Sequence, residues 1–340
     1  MLNWGIIGLG RIANDFASGF KDVKNANLFG IASKTGKKLL DFKEKFNINE
    51  KYCFSNYEDL IACDKIDIIY IALPHNFHFE WIMKCLANNK KVLTEKPATS
   101  SLDDMKKINE MLNDKKIFFA EGFMYRYHPQ TTKVISLIKN NEIGDLISME
   151  SNFGINLIEK RNIFGFKKIK FNKESRLFNK SLAGGCILDL GCYPTSLSIL
   201  IAKLKDPNNM EVELKNSKIE YSSTDVDIDS YTNLHFSNGL ISSIGCSFKK
   251  DLGKSTKIIG TRGSIVVDDS WHCLPMKIKV NDKVILGDKL KFSNIFSYEI
   301  ESISNSIENK KNEPDYPGIS RHDTEKNILI LENWRNHSIK

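Results

Sequence analysis

Short apolar runs alternate with amphipathic stretches through the first third of the chain. The run at 3–9 is apolar and closes on glycine, which is typical of a strand buried on both faces of a parallel sheet. The same rhythm then repeats. The predicted strands are 3–9, 26–32, 67–73, 91–94 and 117–121, and the predicted helices are 11–20, 36–46, 79–88 and 102–113. This alternation predicts a doubly wound parallel sheet.

The pattern of alternating strands and helices ends after Glu121. A helix at 131–140 is followed by a stretch at 146–153 whose alternating polar and apolar residues suit a half-buried strand. Further strands are predicted at 230–236, 240–248, 254–260, 264–268 and 277–280, with hairpin turns at 237–239 and 261–263 and a closing helix at 323–337. The chain is therefore expected to contain two domains. Residues 1–121 form the first, and residues 122–340 form an α+β domain with a large, mostly antiparallel open sheet.

Composition agrees with two globular cores. The chain has 340 residues, of which 41% are hydrophobic and 27% charged. Its net charge of +7 comes from dispersed lysines rather than from a basic arm, so no nucleic-acid partner is expected.

Cysteine usage and hydropathy bear on location. The seven cysteines include no C-x-x-C pair, so they are expected to be reduced, buried thiols. There is no run of 18 apolar residues and no leader pattern before the first strand. We therefore expect a cytoplasmic protein with no membrane partner.

A glycine loop follows the first strand. Residues 8–13 (Gly-Leu-Gly-Arg-Ile-Ala) match G-x-G-x-x-G/A at the start of the first helix. Gly8 permits the tight turn, Gly10 lets backbone approach a pyrophosphate, and Ala13 allows close packing of helix on strand. Gly8, Gly10, Arg11 and Ile12 are therefore predicted to bind a dinucleotide in a Rossmann-type domain.

The end of the second strand bears on the choice of dinucleotide. NAD enzymes usually place a carboxylate there for the ribose 2′-hydroxyl, whereas this chain has Ser33 and Lys34. Together with Lys38, one helical turn further on, these residues can hold a 2′-phosphate through charge-assisted hydrogen bonds. The sequence favours NADP(H), with NAD(H) as the alternative and solvated surface lysines as the other interpretation.

Four further segments carry a resemblance to a known family: 70–78, 92–97 with its Glu-Lys-Pro, 121–129 and 183–194. With the glycine loop they resemble the Gfo/Idh/MocA oxidoreductases over nearly the whole chain. The branches that they resemble most are the dihydrodiol and NADP-dependent D-xylose dehydrogenases and the nucleotide-sugar ketoreductases. The resemblance implies an NAD(P)-dependent enzyme that moves a hydride to or from a CH–OH group of a sugar or sugar derivative.

The resemblance also implies roles for individual residues. Lys96 lies between nicotinamide and substrate, with Asp189 and Tyr193 as its catalytic partners. Tyr193 replaces the His of many inositol dehydrogenases, so inositol is a less favoured substrate. Met124 and Phe153 match positions that line substrate pockets, with plain core as the alternative. The further positions implied to contact the cofactor are Leu73, Pro74, His75, His78, Glu95, Lys96, Arg126 and Arg176, the last with a loop ion pair as its alternative.

These residue types suit the chemistry. Oxidising an alcohol requires a base for the hydroxyl proton while hydride leaves from carbon. A tyrosine, with an ordinary pKa of about 10, needs a nearby cation to act as that base near neutral pH. Lys96 can supply this charge, and the i, i+4 spacing places Asp189 and Tyr193 on one face of a helix.

Other interpretations remain open. A glycosidase that retains its NAD and a non-catalytic NADP-binding regulator would keep the same fold. The resemblance also implies a homodimer or homotetramer. His75 and His78 have the spacing of metal ligands but no companion cluster, so no metal site is expected. Asp225, Asp227 and Asp229 begin like a calcium loop but lack its Gly and Glu, which predicts a solvated turn.

Overall fold

The computed structural model describes residues 1–161, 167–169, 175–273, 275–286 and 289–337. The chain forms two compact units. The first comprises Met1–His128 and Leu290–Glu325, and the second comprises Pro129–Lys289 and Lys326–Lys340. The predicted domain bounds of 1–121 and 122–340 stay a prediction, and the compact units group Leu290–Glu325 with the N-terminal segment.

The first unit contains a six-stranded parallel sheet. Its strand order is β3-β2-β1-β4-β5-β6. The order reverses between β1 and β4, which is the switch point where ligands bind in open α/β sheets. The strands are β1 (Leu2–Ile7), β2 (Ala26–Ala32), β3 (Cys53–Phe54), β4 (Ile68–Ile71), β5 (Lys91–Glu95) and β6 (Phe119–Gly122).

Six described helices belong wholly to the first unit. They are α1 (Arg11–Ser18), α2 (Gly36–Phe46), α3 (Tyr57–Ala62), α4 (His78–Ala87), α5 (Leu102–Lys115) and, far along the chain, α8 (Ile295–Glu308). Helix α8 packs on the parallel sheet, since Trp4 donates from Nε1 to Ser304 Oγ at 3.2 Å. Helix α9 (Arg321–Asn336) begins in the first unit and continues into the second.

The second unit is built on an eight-stranded sheet. Its order is β10-β11-β12-β7-β13-β14-β15-β16, and all neighbours are antiparallel except β12 and β7. Its strands are β7 (Leu146–Gly154), β10 (Val212–Tyr221), β11 (Asp227–Phe236), β12 (Ile241–Ser247), β13 (Thr256–Gly260), β14 (Gly263–Val267), β15 (Lys277–Val280) and β16 (Lys283–Leu286). Strands β8 (Glu159–Arg161) and β9 (Lys167–Ile169) pair antiparallel in a separate two-stranded sheet. The unit's helices are α6 (Pro129–Lys139) and α7 (Cys192–Lys205).

The predicted fold class is confirmed, and most predicted elements lie within a few residues of their observed bounds. The first predicted helix was too long, because α1 ends at Ser18 and a 3₁₀ turn follows at Gly19–Asp22. A side chain at Gly19 would meet Ser297 N and Ile300 Cδ1 at 3.1 Å, so the turn accommodates α8. No element was predicted at β3, α3, β8, β9, β10, β16 or α8.

Helix α7 is longer than the sequence predicted. Only a short helix was expected around Asp189 and Tyr193, but α7 has 14 residues, and Cys192–Ala202 are all buried. A helix buried on every side has no polar face, so its periodicity is weak. The helical run Lys180–Lys205 is long and apolar enough to cross a membrane by length and composition, yet its most apolar 18-residue window lies fully buried inside the protein.

All seven cysteines lie among the described residues as thiols that form no disulfide, as expected. Five of the seven are buried, whereas Cys53 and Cys63 are only partly buried. The expectation of buried thiols is therefore wrong for these two positions.

Candidate functional site

The glycine loop joins β1 to α1. Gly8 has a φ of +88°, and a Cβ there would lie 2.6 Å from the Ala72 carbonyl oxygen. Both the left-handed backbone and the approach of the neighbouring strand therefore require glycine. Ala13 is fully buried where α1 packs on the sheet.

The first turn of α1 presents amide groups without a side-chain cap. Gly10 is the N-cap residue, and no side chain bonds to the helix terminus from there. A Cβ at Gly10 would meet no protein atom within 4 Å. Arg11 is exposed and Ile12 is half-buried at the start of the helix. The backbone here fits a pyrophosphate, because free helix N-terminal amides bind anions.

The segment after β2 is rich in hydroxyl and ammonium groups. Ser33 is buried, and its Oγ accepts from the Thr35 amide at 3.1 Å, which leaves the hydroxyl proton free to donate. Lys34 is exposed, with Nζ over the rings of Tyr57 and Trp81 at 5.4 and 5.9 Å. Helix α2 then begins with no acidic residue in its first turn, and Lys38 lies there, exposed.

The turn after β4 contacts the turn after β5 through His78. This imidazole is fully buried, with Nδ1 2.8 Å from the Pro97 carbonyl oxygen and Nε2 2.8 Å from the Leu73 carbonyl oxygen. Carbonyl oxygens only accept, so both bonds form together only when each ring nitrogen carries a proton. His75 packs against His78 at 5.7 Å between ring centroids, and Pro74 precedes it.

Lys96 is the first residue after β5, at the switch-point edge of the sheet, and it is half-buried. The backbone beyond it is held from two directions. His78 holds the Pro97 carbonyl, and Glu121, at the end of β6, accepts from the Ala98 amide at 2.9 Å through Oε1. These bonds fix the turn that carries Lys96. The sequence alone assigned no role to the Glu121 side chain.

Buried charges lie close to this turn. Glu121 is fully buried, and burial raises its pKa to about 7 against the lowering effect of the Ala98 amide and of the Arg126 charge. Burial likewise raises the pKa of Glu299 well above its ordinary value, and Glu95 adds to this shift. Glu95 itself accepts a short hydrogen bond from the Tyr70 hydroxyl.

Two predicted site residues lie deep in the first unit. Arg126 is only 1% exposed and donates from Nη1 to the Pro317 carbonyl at 3.3 Å. Met124 is also buried, at 8% exposure. Their contacts with cofactor and substrate stay predictions.

Arg176, Asp189 and Tyr193 lie in the second unit. Asp189 belongs to a single π-helical turn, Ile187–Gly191, and Tyr193 is the second residue of α7. The helix between them is therefore regular only from Cys192 onwards, and that the two side chains share one helical face stays a prediction. Arg176 donates from Nη1 to Asp189 Oδ1 at 3.1 Å.

The π turn is shaped by a buried carboxylate on β11. Asp227 Oδ2 accepts from the Ile187 amide at 2.7 Å, and burial raises the pKa of Asp227. Gly185 has a φ of +124°, and a Cβ there would overlap the Asp227 side chain. The solvated turn predicted at 225–229 is wrong for Asp227 and Asp229, which are buried on β11 at 4% and 6% exposure.

Tyr193 belongs to an aromatic cluster. Its ring lies edge-on to Phe153 with centroids 5.3 Å apart, and 5.5 Å from Trp271. Phe153 and Trp271 are stacked at 6.0 Å. Tyr193 is 7% exposed. The position of Phe153 on β7 thus brings its ring beside the candidate acid/base Tyr193, and its role in substrate binding stays a prediction.

The structure thus groups the predicted residues into two sets. The first unit carries Gly8, Gly10, Arg11, Ile12, Ser33, Lys34, Lys38, Leu73, Pro74, His75, His78, Glu95, Lys96, Met124 and Arg126, and the second carries Phe153, Arg176, Asp189 and Tyr193. Sequence reasoning missed Glu121 and Asp227. Glu121 stands in a segment used only for the family resemblance, and Asp227 belongs to the aspartate run interpreted as a solvated turn, so only the bond of each to a distant backbone amide reveals its role. Among the described residues, no group of three His, Cys, Asp or Glu side chains could hold a metal ion.

A parallel sheet with a glycine loop at its switch point is the arrangement that binds dinucleotides in open α/β folds, and here a mostly antiparallel α+β unit accompanies it. Residues 2–123 match the family model described as oxidoreductase family, NAD-binding Rossmann fold, and residues 131–266 match the GFO/IDH/MocA C-terminal domain. The chain belongs to the Gfo/Idh/MocA family of oxidoreductases, and the resemblance found in the sequence is confirmed.

The relatives found belong to the family branches that the sequence resembles. D-xylose 1-dehydrogenase (NADP(+)) of Hypocrea jecorina is 32% identical over 203 residues, which are 57% of this chain and 51% of that protein. The match thus spans about half of that relative. Trans-1,2-dihydrobenzene-1,2-diol dehydrogenase of Xenopus tropicalis is 26% identical over 88% of this chain and 87% of that protein.

A solved structure shares the fold. The 3-ketoreductase KijD10 from Actinomadura kijaniata, crystallised with NADP and TDP-benzene, superposes with a TM-score of 0.82 at 18% identity, over 98% of this chain and 96% of that one. The chain is an oxidoreductase with an NAD(P)-binding Rossmann domain.

Proposed function

We propose that the protein transfers a hydride between NADP(H) and a CH–OH or ketone group of a sugar or sugar derivative. The observation that carries this proposal is Lys96 on a turn clamped by His78 and Glu121 at the switch-point edge of the dinucleotide-binding sheet. The names of relatives add weight, since they include an NADP-dependent xylose dehydrogenase, a dihydrodiol dehydrogenase and a dTDP-sugar 3-reductase.

The preference for NADP(H) rests on the segment after β2. A 2′-phosphate would find the Ser33 hydroxyl, the Lys34 and Lys38 ammonium groups and the N-terminal end of α2, where no carboxylate opposes it. Lysines at a helix N-terminus are unfavourable for the helix dipole unless an anion compensates them. Cofactor recognition explains their presence there.

The proposed mechanism assigns each residue one task. The bound nicotinamide supplies or accepts the hydride at the reacting carbon. Tyr193 takes the hydroxyl proton in oxidation and returns it in reduction, and Lys96 supplies the positive charge that stabilises the phenolate, as the family resemblance implies. Asp189 positions Lys96 or the substrate, and Arg176 holds Asp189 in place. Phe153 and Met124 line the substrate site.

Substitution of the two proposed catalytic groups tests this function. Lys96→Met and Tyr193→Phe are expected to lower kcat by about 100-fold or more, because general acid–base catalysis contributes at least that much. NADPH affinity, measured by fluorescence titration, should stay nearly unchanged. The matched controls are Lys107→Met, on an exposed helix face, and Tyr221→Phe, on an exposed strand. Normal turnover in both test variants would refute the proposal.

The substrate panel comprises free and nucleotide-linked sugars, assayed with NADP+ and NADPH. It also separates the two alternatives. A cofactor that stays tightly bound and unexchanged through turnover would favour a cofactor-retaining glycosidase. NADPH binding without turnover on any substrate would favour a regulator. Retention of the Lys96, Asp189 and Tyr193 set supports the enzyme.

We further propose that the protein is a homodimer or homotetramer in the cytoplasm, without nucleic-acid or membrane partners, as the sequence predicts. Sedimentation equilibrium on the purified chain measures the oligomeric state. A monomer at micromolar concentration would contradict this part of the proposal.

A further inference from the structure

An Asp–His pair lies on the loop that follows β14. The Asp269 carboxylate accepts at Oδ1 from the Trp271 amide at 3.1 Å and from the His272 amide at 2.9 Å, and His272 Nδ1 lies 3.3 Å from the same oxygen. Burial acts to raise the pKa of Asp269, but the hydrogen bonds from the His272 ring and amide outweigh it and lower the pKa to about 2. The carboxylate is therefore charged at neutral pH.

This carboxylate orients the imidazole. A charged oxygen beside Nδ1 fixes the proton of the neutral ring on Nδ1, which leaves Nε2 as a hydrogen-bond acceptor on the opposite edge. The His272 side chain is 47% exposed, whereas its neighbours Trp271 and Cys273 are fully buried. The loop is anchored on both sides of a histidine that projects outward.

The imidazole borders the aromatic cluster of Tyr193. Its ring stands edge-on to Phe153, with centroids 6.2 Å apart and an interplanar angle of 90°. Phe153 in turn stands edge-on to Tyr193 at 5.3 Å. The Phe153 ring thus contacts both the Tyr193 ring and the His272 ring.

We propose that His272 is a specificity-determining residue, whose Nε2 accepts a hydrogen bond from a hydroxyl of a polyhydroxylated substrate that reacts at Tyr193. This inference rests on the proposed function. Phe153 offers an apolar surface between the two polar groups, which suits the C–H face of a sugar. A diol that carries only the reacting hydroxyl and its neighbour would form no such hydrogen bond with His272.

The test compares two alcohols in the same enzyme. D-xylose carries hydroxyls along the whole ring, and trans-cyclohexane-1,2-diol carries none beyond the reacting pair. His272→Ala is expected to lower kcat/KM for D-xylose with NADP+ by about tenfold, since one hydrogen bond contributes about that factor. The value for the diol should change by less than about twofold. His272→Gln, whose amide oxygen can accept in place of Nε2, should restore part of the loss.

The outcomes are distinct. An equal change for both alcohols would show that His272 only shapes the loop, and no change for D-xylose would also overturn the inference. His322→Ala, at an exposed position on α9, is the control. If the wild type turns over neither alcohol, the proposed function fails for these substrates. Calorimetric titration of D-xylose into the NADP+ complex then tests whether His272 binds the sugar. Equal Kd values for D-xylose in wild type and His272→Ala would overturn the inference.

Discussion

Arg176 and Asp189 form an ion pair across 13 positions of the chain, with Nη1 and Oδ1 3.1 Å apart. The Arg176 side chain is 45% exposed and that of Asp189 is 11% exposed. The pair therefore ties an outer loop to a carboxylate that is almost enclosed. The sequence left two interpretations of Arg176 open, a ligand contact and a loop ion pair. The second is present in the structure, and it restrains the carboxylate assigned to catalysis.

Removal of this arginine should affect turnover more than stability. Water screens this pair only on the arginine side, so Arg176→Met should lower the free energy of unfolding by about 1 kcal/mol. Because Asp189 loses its restraint, we expect kcat/KM to fall by about tenfold or more, a loss of at least 1.4 kcal/mol.

Steady-state kinetics and urea denaturation measure the two effects. Lys107→Met, which breaks the exposed ion pair between Lys107 and Asp103, should leave both quantities near wild type. Arg176→Lys retains the charge and should keep part of the activity. Equal activity of Arg176→Met and wild type would show that the pair is only a surface contact.

The two glycines of the dinucleotide loop should respond differently to alanine. Gly8→Ala forces a side chain into a φ of +88° and against the Ala72 carbonyl, so we expect a destabilisation of at least about 1 kcal/mol. At Gly10 the backbone is extended and a Cβ meets no protein atom. Gly10→Ala should leave the protein as stable as the wild type but weaken NADPH binding, because the methyl group occupies the surface that faces the pyrophosphate.

Thermal unfolding without cofactor and fluorescence titration with NADPH separate these effects. The expected result is loss of both properties in Gly8→Ala and loss of affinity alone in Gly10→Ala. Unchanged NADPH affinity in Gly10→Ala would mean that the phosphates do not approach this turn. Ser18→Ala, at the exposed last residue of α1, controls for effects on this helix.

Cofactor choice should depend on the ammonium groups near β2. Lys34→Ala and Lys38→Ala are each expected to weaken NADP+ binding by about tenfold or more, in line with a charge-assisted bond, and to leave NAD+ binding nearly unchanged. Lys45→Ala, in the last turn of the same helix, is the control. The ratio of the two Kd values is the measurement. A ratio that stays constant in both test variants would assign these lysines to the solvated surface.

Local patterns predicted much of the fold and of the candidate site. The glycine loop, Ser33, Lys34 and Lys96 each lie at the end of a strand with a strong apolar pattern, so their place at one edge of the sheet follows from the rule for parallel strands. Helix α8 was missed although it packs on that same sheet. Its contact with Trp4 joins residues 300 positions apart, and no local pattern encodes such a distance.

The groups that hold the turns carrying the proposed catalytic residues were missed for the same reason. Glu121 bonds to an amide 23 positions earlier, and Asp227 bonds to an amide 40 positions earlier. In sequence, an acid with no evident partner is most simply interpreted as solvated. The three-dimensional structure instead places both carboxylates in the interior. There each accepts a hydrogen bond from a backbone amide that would otherwise lack a partner.

Burial of Glu121 should make stability depend on pH. Its pKa is about 7 in the folded chain, compared with an ordinary value of 4.5, so the folded state holds the proton more tightly than the unfolded state. This contribution to stability is fully present below pH 4.5, and it is lost as the pH rises through 7. A shift of this size corresponds to about 3 kcal/mol of unfolding free energy.

The variant Glu121→Gln cannot ionise, but its amide oxygen can still accept from the Ala98 amide. We therefore expect it to gain stability over the wild type as the pH rises from 5 to 8, by an amount approaching that same free energy. Urea denaturation at four pH values across this range measures the difference, and Glu110→Gln, at an exposed position on α5, should follow the wild type. Parallel curves for wild type and Glu121→Gln would mean that the Glu121 carboxyl ionises as easily in the folded chain as in the unfolded one. It would then hold the Lys96 turn as a charged acceptor at every pH tested, without a cost from burial.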